Sequence, residues 1–190
     1  MNNTTPTLTE LDLTDNRLRE VGGVAIAGAL ESNTTLETLD LGYNHLGDKT
    51  GVAIASALEM NTTLETLDLR VNDLGETGVK PVLYALKNNT TLTTLNLCNN
   101  GFILWGGIGR AVADVLEINT TLTTLDLSYN YLGEGFGQVI HDVLQRNTSL
   151  TYLSFDREDP YYPEIQEILS KRETPIQGPS VKVAIPSIPR

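Results

Sequence analysis

Cysteine is almost missing from this chain. Cys98 stands alone among 190 residues, so no internal disulfide can form and nothing points to an oxidising compartment. Basic residues are scarce as well, 13 Lys and Arg against 24 Asp and Glu, for a formal net charge of −11. A nucleic-acid binder needs a basic footprint to displace counterions, and so does a protein held on an anionic membrane, so both classes are disfavoured. No apolar run approaches the ~18–20 residues of a membrane span. The opening Met1-Asn2-Asn3-Thr4-Thr5-Pro6 lacks the basic and apolar regions of a signal peptide. Catalytic groupings are absent too. His45 and His141 have no Cys or His at metal-ligand spacing and read as surface residues, and Cys98 has no histidine nearby in the pattern to activate it. No G-x-x-x-x-G-K-[ST] is present to cradle phosphate. The expectation is a cytoplasmic, monomeric chain that is not an enzyme and uses no metal or cofactor.

What the chain has in abundance is self-similarity. The phrase Asn-Thr-Thr-Leu or a near copy begins at Asn33, Asn61, Asn89, Asn119 and Asn147, at intervals of 28, 28, 30 and 28 residues. Counting back 28 from Asn33 reaches Thr5, where Leu8, Leu11, Leu13 and Asn16 continue the pattern. Each unit carries L-x-x-L-x-L-x-x-N-x-L, for example Leu36, Leu39, Leu41, Asn44 and Leu46. The Leu-x-Leu pair marks a short strand with one buried face. A glycine-containing turn and a helical stretch follow, such as Gly51–Leu58, with Val52 and Ala55, and Ile54 and Leu58, at helical spacing. The asparagine that opens each phrase follows the helix, and asparagine tolerates the left-handed conformation, so it reads as a C-cap. The ninth-position asparagines (Asn16, Asn44, Asn72, Asn100 and Asn130) are predicted to form a buried amide ladder that bonds to turn backbone. Their period also makes the Asn-x-Thr/Ser sequons structural caps in this reading, not glycosylation sites. Strands sit about 4.8 Å apart whereas helices need roughly 8–10 Å, so a stack of such units bends into an open arc. The fold expected is an α/β solenoid, with parallel strands on the concave face and helices on the convex face.

The 28-residue unit N-T-T-L-x-T-L-D-L-x-x-N-x-L-G, followed by a G-x-x-x-I-A-x-A-L-like helix, resembles the ribonuclease-inhibitor-like class of leucine-rich repeats. The resemblance covers residues 5–156, as five full repeats and a partial sixth. It implies a horseshoe-shaped, non-catalytic scaffold that binds protein. The ribonuclease inhibitor itself is cysteine-rich and this chain is not, so its ligand does not carry over. Short repeat-only proteins of this style also resemble effectors that intracellular bacterial pathogens inject into host cells. A regulatory or targeting fragment of a larger enzyme or receptor stays open beside that reading.

Departures from the repeat carry the remaining information. Asp156–Pro160 replaces the asparagine turn of the sixth unit, and residues 157–172 read as a capping helix over the open end of the core. Residues 173–190, with four prolines, read as an extended tail, with a secretion signal as the other option. The fourth unit is two residues longer and carries Trp105, which reads either as an anchor for a partner or as part of a loop folded over its own helix or against Leu132 and Phe136 of the next unit. On the concave face, one outward column reads Asp12, Asp40, Asp68, Asn96, Asp126, Ser154. Its carboxylates repel across adjacent strands, so a partner with a basic surface would relieve them. Aspartate is also simply frequent at this position of the repeat. A second column (Asp15, Tyr43, Val71, Asn99 and Tyr129) varies from unit to unit, as expected where a scaffold encodes a partner. The expected contact surface is therefore Tyr43, Arg70, Val71, Asn99, Trp105 and Tyr129, with Asp40, Asp68 and Asp126.

Overall fold

The computed structural model describes residues 7–102, 107–133 and 135–172. Strand and helix alternate through β1 (Glu10–Asp12), α1 (Arg19–Ser32), β2 (Thr38–Asp40), α2 (Gly47–Met60), β3 (Thr66–Asp68) and α3 (Gly75–Ala85). They continue through β4 (Thr94–Asn96), α4 (Ile108–Leu116), β5 (Thr124–Asp126), α5 (Phe136–Leu144), β6 (Tyr152–Ser154) and α6 (Tyr162–Ser170). The six strands form one parallel sheet in chain order, β1 to β6, with its two ends unjoined. The register follows the repeat: Leu11, Leu39, Leu67, Leu95, Leu125 and Leu153 stand side by side. The chain is an α/β solenoid of strand–helix units with an open arrangement.

The core is a ribbon of leucines between sheet and helices, including Leu39, Leu41, Leu46, Leu67, Leu69 and Leu74. Phe102 takes the usual leucine position of the fourth unit and is fully buried. Small residues let the first helices approach. A Cβ on Gly51 would lie 2.5 Å from the Gly78 carbonyl oxygen, so this crossing of α2 and α3 admits only hydrogen at that point. On α2 the buried face is Thr50, Gly51, Ile54, Ala55, Ala57 and Leu58, whereas Val52, expected to share it, points to solvent.

Two amide ladders satisfy the turns. The expected one is present: Asn72 Oδ1 accepts from the Asn44 backbone N–H at 2.9 Å, and its Nδ2 donates to the carbonyls of Leu41, Leu69 and Arg70. Asn44 and Asn100 repeat the arrangement from unit to unit. The asparagines that open each phrase form the second ladder and correct the sequence reading. None has a positive φ, and Asn33 and Asn61 are extended, with φ near −75° and ψ near 130°. They act through the side chain. Asn61 Nδ2 donates to Leu30 and Asn33 of the preceding unit, while Oδ1 accepts from the N–H groups of Thr63 and Leu64. Asn89 and Asn119 do the same, Asn147 does so with the Leu150 N–H as its one backbone donor, and all four are buried. A buried polar group must be paired, and this residue pairs the end of one helix with the start of the next strand.

The two ends differ. At the C-terminal end α6 lies over the last unit: Ile165 and Leu169 are buried, and Phe155 packs between Phe136 and Tyr162 at ring-centroid distances of 5.2 and 5.0 Å. The Arg172 guanidinium donates to the carbonyls of Leu150 and Leu144. At the other end β1 is the sheet edge, Leu8 is 58% exposed, and Leu11, Leu13, Leu18 and Ile26 are only half-buried. Trp105, expected as a partner anchor or a folded-back loop, and the tail from 173 to 190 lie outside the described residues.

Candidate functional site

Each strand from β1 to β5 ends in an Asp or Asn whose side chain turns back on its own backbone. Oδ1 of Asp12, Asp40, Asp68, Asn96 and Asp126 accepts from the N–H two residues on, at 2.8–3.0 Å. This local turn is the physical reason the repeat keeps Asp or Asn there. The next residue but two then adopts a left-handed conformation: Asp15, Tyr43, Val71, Asn99 and Tyr129 have φ between 52° and 60°. For residues other than glycine this costs about 1–2 kcal/mol each. It is held by bonds to the next unit, Tyr43 N–H to Arg70 O and Asn99 N–H to Ser128 O. The variable column is thus fixed in backbone conformation and free only in side chain.

Arg70 organises the middle of the concave face. Its guanidinium bonds Asp68 at 2.7 Å and Asp40 at 3.2 Å, and lies 5.8 Å from the Tyr43 ring centroid. Gly42 lies beneath it, where an added Cβ would come within 3.1 Å of Arg70 Cγ and Nε. Asn96 Nδ2 donates to Asp68 at 3.1 Å. The repulsion foreseen along the aspartate column is therefore relieved inside the molecule at Asp40 and Asp68. Burial, then the neighbouring Asp40, still pushes the Asp68 carboxyl up to about 6 against the bonds from Arg70 and Asn96.

Toward the C-terminal end the face opens into a groove of about 840 Å³. It brings together Tyr43, Arg70, Val71, Asn99, Asp126 and Tyr129 from the expected surface, while Asp40 and Asp68 lie beside it under Arg70. Tyr131, Tyr152, Cys98 and Tyr162, outside the contact surface expected from the sequence, also line it. Tyr152 breaks the Thr38, Thr66, Thr94, Thr124 series and is signalled by that departure, whereas Tyr131 stands at a position that differs in every unit (Arg17, His45, Asp73 and Gly101). Tyr162 comes from α6 and had no such signal. Tyr129, Tyr131 and Tyr152 are exposed, at 65%, 74% and 43%. Burial and then the Asp126 charge push the Tyr152 phenol up, which keeps its hydroxyl a neutral donor. Burial likewise pushes the Cys98 thiol up, away from the thiolate that nucleophilic chemistry requires.

Other candidate features are quieter. A shallower groove of about 610 Å³ runs along the threonine-lined rim at the strand starts. Its Thr35, Thr63 and Thr93 hydroxyls already donate to carbonyls of the preceding unit. His45 is exposed and pairs with Asp73, whereas His141, expected at the surface, is partly buried with its ring 5.6 Å from Tyr161. No group of three or more His, Cys, Asp or Glu among the described residues could hold a metal, and no described helix is long and apolar enough to cross a membrane.

Comparison with known proteins agrees with this architecture. A family model described as Leucine Rich repeat matches residues 5–27, 32–55, 61–83 and 119–133. No curated protein matches the chain. Among solved structures, leiomodin-1 actin-binding site 2 superposes with a TM-score of 0.66 at 21% identity, covering 79% of this chain and 87% of that one. The tropomodulin C-terminal domain of Caenorhabditis elegans gives 0.67 at 12% identity, covering 79% and 92%. At such identities the likeness is one of fold. The sequence repeat and the family match together identify the chain as built of leucine-rich repeats, and the solved structures agree in fold.

Proposed function

We propose that the chain is a non-catalytic scaffold that binds another protein through the concave groove of its C-terminal half. The carrying observation is the concentration of tyrosine: five of the chain's seven line this one groove. Tyrosine supplies large contact area with a polar tip at low entropic cost, which is why it is enriched at binding surfaces. The acidic balance of the chain favours a partner with a basic surface. Actin is the first named partner to assay, because the leiomodin-1 structure is titled as an actin-binding site. The ribonuclease-inhibitor-like subclass and the reading as a pathogen effector acting on a host protein rest on sequence resemblance. A regulatory or targeting fragment of a larger enzyme or receptor would use the same surface.

The test is quantitative capture of a partner, with actin co-sedimentation as one arm. Replacing Tyr129 and Tyr152 by alanine removes two exposed rings, and at about 1–2 kcal/mol each the affinity should fall at least ~30-fold. Tyr84→Ala, on α3 outside the groove, should leave capture unchanged. Undiminished capture by the double variant, with its circular-dichroism spectrum intact, would remove the groove from consideration.

A further inference from the structure

We infer that the groove receives an arginine side chain of the partner, its guanidinium stacked on Tyr129 and bridging Asp126 and Asp156. This deepens, and rests on, the reading of the groove as the binding surface.

The solenoid holds an occupied version of this arrangement three repeats earlier. There Arg70 lies near the Tyr43 ring and bonds Asp40 and Asp68. Advancing each position by three units carries Tyr43 to Tyr129 and Asp40 to Asp126. The tyrosine and the carboxylate are kept. The position of Arg70 becomes Asp156, so the internal cation is replaced by a second carboxylate, and the position of Asp68 becomes Ser154. Asp126 Oδ1 accepts from the Ser128 N–H and hydroxyl at 2.9 and 2.6 Å, and Asp156 Oδ1 from the Glu158 N–H at 3.0 Å. Among the described residues no hydrogen bond or ion pair engages Oδ2 of either. Arg157 also lines the groove but forms no ion pair with either carboxylate among the described residues. The groove is therefore a carboxylate pair beside an exposed ring, open to solvent, in a protein of net charge −11.

Arginine fits this better than lysine. A planar guanidinium can stack on a ring while its fork of donors reaches two acceptors at once; an ammonium is a compact, strongly hydrated point charge. Ser128 stands where Gly42 lies under Arg70, so an incoming arginine rests higher than Arg70 does, and its entry from the open face permits this.

The experiment uses the full ¹⁵N-labelled chain titrated with N-acetyl-arginine methylamide, its lysine counterpart and its citrulline counterpart. With arginine, amide shifts at Asp126–Tyr129 and Ser154–Asp156 should saturate in the millimolar range. Lysine should bind at least threefold more weakly and citrulline should give no saturable shift. The Asp126→Asn, Asp156→Asn double variant should bind arginine at least tenfold more weakly. It should still fold, since Asn96 already performs the same turn-capping role in the fourth unit. Equal response to citrulline, shifts mapping elsewhere, or an undiminished response in the double variant would each overturn the inference. Partner capture separates it from the broader reading. If Tyr129→Ala, Tyr152→Ala abolishes capture while Asp126→Asn, Asp156→Asn leaves it intact, the groove stands and the arginine falls; if neither changes capture, both fall.

Discussion

Replacing Arg70 by methionine keeps the apolar stem and removes the charge that two carboxylates share. The side chains involved are sheltered, 22% exposed for Arg70 and 15% for Asp68, so solvent screens them only partly. The Asp68 carboxyl stands at about 6 in the folded chain against an ordinary 3.8, a difference worth about 3 kcal/mol. Because the folded value is the higher one, the folded state binds this proton more tightly. Its contribution to stability is complete below pH 3.8 and lost as the pH rises through about 6. Without Arg70 the carboxyl moves higher still, because a favourable charge has gone and Asp40 remains. At pH 7.5 the variant should therefore be less stable by about 3–5 kcal/mol, the usual cost of stranding a buried charge. At pH 5, where Asp68 carries its proton, the loss should shrink below about 2 kcal/mol. Urea unfolding followed by circular dichroism at both pH values measures this. The same substitution in an Asp68→Asn background should lose most of its pH dependence. A loss of equal size at pH 5 and pH 7.5 would refute the argument.

Three further outcomes follow from the packing and can be read from urea midpoints. Asn72→Ala removes one bond from each of four backbone groups in a buried ladder and leaves the Asn44 N–H without a partner, so it should cost about 2–4 kcal/mol, whereas Asn16→Ala, at the exposed end of that ladder, should cost under about 1 kcal/mol. Gly51→Ala drives a methyl into the Gly78 backbone and should destabilise by about 2–3 kcal/mol, while Gly28→Ala, with open space around its Cβ, should stabilise by about 0.5–1 kcal/mol. Val71→Asn relieves a β-branched residue held at φ 54° and should raise stability by about 0.5–1 kcal/mol.

Features confined to one unit and repeated in register were legible in the sequence. The leucine columns, the short strands and the Asn44–Asn72–Asn100 ladder all follow from single positions recurring at a fixed interval. The phrase-opening asparagines were located correctly but given the wrong mechanism, because a backbone preference was assigned where the side chain spans two units. Arg70 shows the same limit. That its guanidinium also bonds Asp40 is not legible in the sequence, because Asp40 is thirty residues away and becomes a neighbour only through the sheet register. Tyr162 was invisible because no repeat position marks it; the fold of the last helix brings it to the groove. Val52 was misplaced because α2 buries Thr50 and Gly51 at a close helix crossing, which turns its face away from the position that hydrophobic spacing alone suggests.

The unlike ends give the molecule a direction. In a stack held by nearest-neighbour contacts, opening starts where a unit has only one neighbour and no cover. Among the described residues that is the first unit, where Leu8 is exposed and β1 has one strand neighbour, while α6 clamps the sixth. The stack behaves as a zipper stopped at one end: thermal opening advances from β1 and must cross several intact units before it reaches Tyr129 or Tyr152. The groove occupies the stopped end, so the first repeat can open and close many times while the surface proposed to meet the partner keeps its shape.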